Sequence, residues 1–253
     1  MIKVSKPTAI PNILRTTGAT TTTANCALYD ANPPSYNSGS SKFKILSSIY
    51  NDPVIKAALK KAQKNKCCFC EKHQHDEYGA VEHYRPKSAY KTKRKDRLKK
   101  PGYYWLGYTW SNLFFVCGPC NTKKGNIFPL NNEANRAKNH NYNISVEKPL
   151  LLDPAGRKDP INHIKFNDEL PYGVSTEGKR TIEICKLDRE GLNKERRLHL
   201  DLIEDKVLII IAQLDQAAVT RAATYLKEAI KADAKFSSMT VNYISNKTSI
   251  VLV

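Results

Sequence analysis

The sequence predicts an α+β protein in which a metal-clasped segment is embedded in a mainly helical chain. Three observations predict it. Two Cys-x-x-Cys pairs, Cys67 with Cys70 and Cys117 with Cys120, bracket a basic, aromatic segment. Apolar residues recur at helical spacing before that segment and again beyond Asp188. Between these regions lie short alternating runs that read as strands. A chain of 253 residues supports one sizeable core or a compact domain with a smaller appendage. A hydrophobic fraction of 41% excludes wholesale disorder.

Taken in order, residues 1–42 mix Pro7, Pro11, a threonine-rich stretch, Pro33-Pro34 and a Ser/Gly cluster, and read as an irregular arm. Phe43, Leu46, Ile49, Tyr50, Val54, Ala58 and Leu59 then form a helical pattern, with Asp52-Pro53 placed to open a helix. With this lead-in, residues 43–130 make the central domain. Residues 131–253 form a mixed strand and helical region that opens on a polar stretch and a turn at 149–154. Residues 161–166 and 181–184 are expected as short strands, with Pro171-Tyr172-Gly173 as a break between them. From Asp188 onward, Leu192, Ile203, Val207, Ile210, Leu214, Ala222, Tyr225 and Ile230 give a stripe for one long helix or two helices bent near Leu200. Residues 240–253 have strand-like composition and an apolar end, Ile250-Val251-Leu252-Val253.

Lysine plus arginine number 41 against 24 aspartate plus glutamate, a net charge of +17. The sequence pI is about 9.5. Such a surplus concentrates polyanions, which makes nucleic acid the leading class of partner and an anionic membrane surface the second. The most apolar stretch, residues 207–212, is far too short to span a bilayer, and residues 1–7 contain no signal-peptide core. No membrane association and a cytoplasmic location are therefore expected.

Seven cysteines fit no closed disulfide framework. Two residues between thiolates let both sulfurs face one tetrahedral ion, so the two pairs predict a four-sulfur structural zinc site. The competing reading is a thiol-exchange pair at Cys117-Gly118-Pro119-Cys120, which leaves Cys67 and Cys70 without a task. His73 is a substitute ligand in principle, and Cys68, between two ligands, is expected to point away.

Inside the clasp stand Glu82-His83-Tyr84-Arg85-Pro86-Lys87, a lysine- and arginine-rich run to Lys100, the aromatic residues Tyr103, Tyr104, Trp105 and Trp110, then Asn112. Asn121-Thr122-Lys123-Lys124-Gly125-Asn126 follows the second pair. Cutting a phosphodiester needs a base for water, a divalent cation at the phosphate and positive charge along the backbone. All three kinds of group are present. The order Glu82-His83, Asn112, Cys-x-x-Cys, Asn121 resembles the HNH, or ββα-metal, endonuclease finger. The wider wording, including Tyr104-Trp105-Leu106 and Asn126-x-Phe128-Pro129-Leu130, is similar to the HNH subunits of Septu anti-phage defence systems and related retron-associated effectors.

The resemblance implies metal-dependent cleavage of nucleic acid, DNA ahead of RNA. His83 would be the general base; Glu82 and Asn121 would hold a catalytic Mg2+ or Mn2+; Asn112 would brace the loop that orients His83. Asn121 stands where the family name would place a histidine. Arg85, Lys87, Arg94, Lys123 and Lys124 are candidate nucleic-acid contacts. An ATPase subunit of the PtuA kind and a retron RNA–DNA element are the partners implied. The alternative is a non-catalytic zinc protein that binds nucleic acid or serves as an assembly scaffold, which explains the charge and cysteines but leaves Glu82, His83 and Asn121 unused.

Overall fold

The computed structural model describes residues 1, 3–74, 79–213 and 215–247. It is an α+β arrangement. The segment expected as an irregular arm instead carries two helices, α1 (Ala19–Ala31) and α2 (Pro33–Ser38), preceded by a π-helical turn at Leu14–Gly18. Threonine is a weak helix former, which is why the stretch reads as irregular. Here each hydroxyl of Thr21, Thr22 and Thr23 donates to the carbonyl four residues back, and Leu14, Tyr29 and Tyr36 are buried. Pro33 occupies the first turn of α2, where its missing N–H costs nothing, and Asn32 caps that helix by accepting from Ser35 N. Tyr36 stacks on Phe43, Phe43 on Tyr104 with the rings 3.9 Å apart, and Tyr104 on Tyr29, so the arm is part of the core.

The lead-in forms α3 (Ser47–Tyr50) and α4 (Pro53–Ala62), the latter capped by Asp52. Strands β1 (Ala80–His83) and β2 (Leu113–Val116) pair antiparallel, with Val81 opposite Phe115 and His83 opposite Leu113. Helix α5 (Gly118–Lys124) follows β2 directly and contacts β1. Val81, Leu113 and Phe115 pack with Ile55 and Leu59 of α4 in one cluster, while Phe114 and Val116 enter the larger core. β2 is thus buried on both faces. Its outer edge is closed by Gln63, whose amide donates to Phe115 O at 2.7 Å and accepts from Phe115 N at 2.8 Å.

A second hairpin joins β3 (Ile164–Asn167) to β4 (Leu170–Gly173), so the expected break at Pro171-Tyr172-Gly173 is a strand. A two-stranded ladder leaves an open edge on which the proline nitrogen needs no partner. Residues 181–184, expected as a strand, lie in α6 (Thr176–Cys185), capped by Ser175. Four residues are too few to separate the two periodicities. The long stripe divides into α7 (Glu190–Ala212) and α8 (Gln216–Ala229), and the break falls at Gln213, with φ +48°, not near Leu200, which is fully buried within α7. Leu214 lies outside the described residues. The tail expected as a strand is helical as α9 (Ser237–Lys247), burying Met239, Thr240 and Asn242; residues 250–253 lie outside the described residues. Among the described residues no helix is long and apolar enough to cross a membrane.

Tyr29→Ala is expected to lower the unfolding free energy by about 3 kcal/mol, read by denaturant titration. An unchanged stability would place α1 outside the cooperative core.

Candidate functional site

Alternation along β1 places Glu82 and His83 on opposite faces of the strand, yet both line one cavity of about 270 Å3 because they stand at its end. Lys87, Asn121, Gly125 and Asn126 complete the lining used here. Gly125 ends α5 at φ 47°, ψ −129°, a conformation open to glycine, and so turns the chain along the cavity.

His83 is buried beneath the Tyr50 ring, 4.7 Å centroid to centroid. Its Nε2 lies 2.8 Å from the Gly107 carbonyl. A carbonyl only accepts, so Nε2 carries the proton and Nδ1 keeps its lone pair. Asn112, the last residue of a tight turn before β2, fixes this arrangement. It accepts from Arg85 N at 2.7 Å and donates to the Arg85 and Leu106 carbonyls at 3.1 Å each, which holds the turn that presents Gly107 O. Burial, followed by the positive charge of Lys87, holds the imidazole down at about 3 from 6.5, so it is neutral near pH 7.

Glu82 faces α5. Lys124, placed by the sequence among phosphate contacts, is fully buried and donates to Glu82 Oε1 at 2.5 Å and to the His83 carbonyl at 2.9 Å. Its four-carbon stem reaches inward from the last turn of a short helix, so its charge serves Glu82 and not the surface. Arg85 likewise pairs with the buried Glu147 at 2.9 Å, and Arg94 donates to the carbonyls of Lys123 and Ile184, bracing the basic loop against α5 and α6. Lys87 lines the cavity with its ammonium 4.6 Å from the Tyr50 ring centre, and Lys123 is exposed. Periodicity gives no sign of these pairings; the single available signal for Lys124 is its i, i+3 relation to Asn121 on one face of α5.

The sulfurs of Cys67, Cys70, Cys117 and Cys120 all lie within 4.8 Å of one another and are buried. Cys70 and Cys117 sulfurs are 3.7 Å apart, close to the edge of roughly 3.8 Å for a tetrahedron with Zn–S bonds of about 2.3 Å. The four residues are therefore arranged to hold a metal such as zinc. Arg189 approaches Cys120 sulfur at 3.6 Å and supplies countercharge. His73 turns instead to the Asp233 carbonyl at 2.7 Å. Glu71, next to the first knuckle and at φ +64°, reads from the sequence as a hydrogen-bonding residue near the clasp without a catalytic role, and is a buried hub. It accepts from the hydroxyls of Ser237 and Ser238 and pairs with the amino terminus and with Lys66. Burial alone raises its carboxyl, but these two cations hold it down at about 2.

The His83 imidazole should stay neutral, with the proton on Nε2, from pH 8 to pH 5 by nitrogen-detected NMR. Its contribution to stability is complete above 6.5 and is lost as pH falls from there toward 3. Lys124→Met, which strands the Glu82 carboxylate, should cost about 3 kcal/mol in denaturant unfolding, and adding Glu82→Gln should restore part of it.

Two curated proteins are similar to this chain in sequence. Septu protein PtuB of Bacillus mycoides (strain KBAB4) is 39% identical over 168 residues, 64% of this chain and 56% of that protein. Septu protein PtuB of Bacillus thuringiensis is 29% identical over 144 residues, 56% of this chain and 44% of that protein. The chain spans about half the length of the curated relatives it matches. No protein-family model matches the chain, and no solved structure matches it. The similarity is thus to proteins of the Septu PtuB kind.

Proposed function

We propose that this chain is the nuclease component of an anti-phage defence system of the Septu kind, an HNH endonuclease that hydrolyses phosphodiester bonds of nucleic acid, DNA ahead of RNA, together with an ATPase subunit. The observation that carries the reading is His83, tethered through Nε2 and lining one cavity with Glu82 and Asn121. The antiparallel pair β1–β2 followed directly by α5 is the order of elements a ββα finger requires. The names of the two relatives support the system.

Glu82 and Asn121 offer a carboxylate and an amide oxygen beside open solvent, a hard donor set suited to Mg2+ or Mn2+, which keep most of their waters. When bound, such a cation adds positive charge at the scissile phosphate and the leaving oxygen. His83 Nδ1 takes a proton from water as its oxygen attacks phosphorus, while the departing oxygen leaves with the other strand fragment. Nε2, fixed on Gly107 O, delocalises the charge that the ring acquires. Burial is the larger cause of the lowered imidazole and Lys87 the second; a docked phosphate next to Lys87 offsets that second cause and raises the basicity in part when substrate is present. Asn112 acts by positioning. Cys67, Cys70, Cys117 and Cys120 hold structural zinc in this reading, which ties β2 and α5 to the preceding knuckle.

A second reading, a zinc-containing nucleic-acid-binding or scaffold protein without catalysis, is favoured by Lys124, which already neutralises Glu82. The deciding experiment measures cleavage of labelled duplex DNA, single-stranded DNA and transfer RNA with Mg2+ or Mn2+, with and without the ATPase. The parent should cut and folded His83→Ala should be slower by about 100-fold or more. Absence of cutting in every condition, with nucleic-acid binding equal in both proteins, moves the assignment to the second reading. Elemental analysis of purified protein should find one zinc per chain, lost in Cys120→Ser together with a lower melting temperature.

A further inference from the structure

The loop that gives Lys87 to the first cavity gives Tyr90 to a second, of about 430 Å3. That volume falls in the range of small-ligand sites, about 300–1,000 Å3. Four tyrosines contribute to its lining: Tyr29 and Tyr103 are buried, Tyr90 is half-buried and Tyr142 is 48% exposed. Lys100, Arg136 and Lys138 bring positive charge, and no aspartate or glutamate lines the cavity among the described residues. Gly102, at φ +76°, lets this wall close on the loop: a Cβ there would come within 2.5 Å of Ala89 N.

The three cations are not equivalent. Arg136 is committed to Glu133 at 2.7 Å, to Tyr103 Oη and to Phe128 O, and lies 3.9 Å from the centre of the Tyr90 ring. Among the described residues Lys100 reaches only the Gly39 carbonyl, at 3.4 Å, and exposed Lys138 pairs with no carboxylate. Uncompensated charge therefore stands with the ring of Tyr142 at the edge of a tyrosine-lined hollow. A simple phosphate has no use for the rings, and a neutral aromatic ligand has no use for the lysines. A ligand with both a flat ring and an anionic group uses both.

We propose that this cavity binds a nucleotide unit, with its base against the exposed Tyr142 ring and its phosphate toward Lys100 and Lys138. The unit comes either from a free nucleotide or from a nucleic-acid strand with that base unpaired. The site is separate from the cavity at His83 and its occupancy does not depend on cleavage.

The test uses the whole chain with no added divalent cation. The probes are AMP, UMP and a single-stranded oligonucleotide carrying 2-aminopurine, whose fluorescence is quenched by stacking. Tyr142→Ala is expected to weaken binding by about 10-fold, the loss of one stacking contact, with Tyr142→Phe close to the parent. Lys138→Ala should weaken it as well, and Lys227→Ala, at an exposed position of α8, should not. Unfolding midpoints confirm that each variant is folded. Binding of AMP or UMP identifies a free nucleotide as a ligand, whereas binding of the oligonucleotide alone identifies a strand. Failure of the parent to bind any probe, binding indifferent to Tyr142→Ala, or equal weakening by Lys227→Ala overturns the proposal.

Discussion

Four sulfurs drawn within 4.8 Å of one another fix both ends of the segment that holds the candidate site. The knuckle at Cys67 and Cys70 precedes β1, and the one at Cys117 and Cys120 joins β2 to α5. Thiolates this crowded and buried are unfavourable as a group unless a cation shares them, so the cluster is the point of the local fold that could hold a metal such as zinc. Everything around it is arranged to keep that point closed: Arg189 supplies charge, Gln63 closes the edge of β2, and Glu71 links the first knuckle to α9.

The site beside the clasp depends on strand parity. Because neighbours on a strand face opposite ways, Glu82 and His83 are served by different partners: Glu82 by Lys124 from α5, His83 by Gly107 and Tyr50 from the turn and α3. The two environments are of opposite character. One is ionic, and the other is a desolvated slot that keeps an imidazole neutral. A one-residue slip of β1 would exchange them, so the register against β2 is itself a determinant of the chemistry available.

The four-cysteine cluster was legible from spacing alone, and the α+β class from the mixture of periodicities. Glu82, His83 and Asn121 were named from a local pattern, and the structure brings them to one cavity. What spacing does not carry is partnership across the fold. Lys124, Arg85 and Arg94 read as free surface cations, but each is held by a group distant in sequence or by a backbone carbonyl. Helices α1, α6 and α9 were missed for a related reason: threonine-rich or short segments have little helical preference of their own, and burial of Tyr29, Ile184 and Met239 decides the matter.

Residues 4 and 6 make bonds far down the chain. Val4 N donates to the carbonyl of Pro154, and Lys6 is lodged among the carbonyls of Trp110, Ser111 and Leu113, 3.6 Å from the centre of the Phe114 ring. Glu71 waits on Ser237 and Ser238 in the same way. On a ribosome these early segments leave the exit tunnel long before their partners exist. The wall behind β2 therefore cannot be finished until residues 110–154 have been synthesised, and the hub beside the first knuckle not until Ser237 and Ser238 have followed. A nascent chain that stops short of Ser237 holds Glu82 and His83 without the finished hub beside the first knuckle.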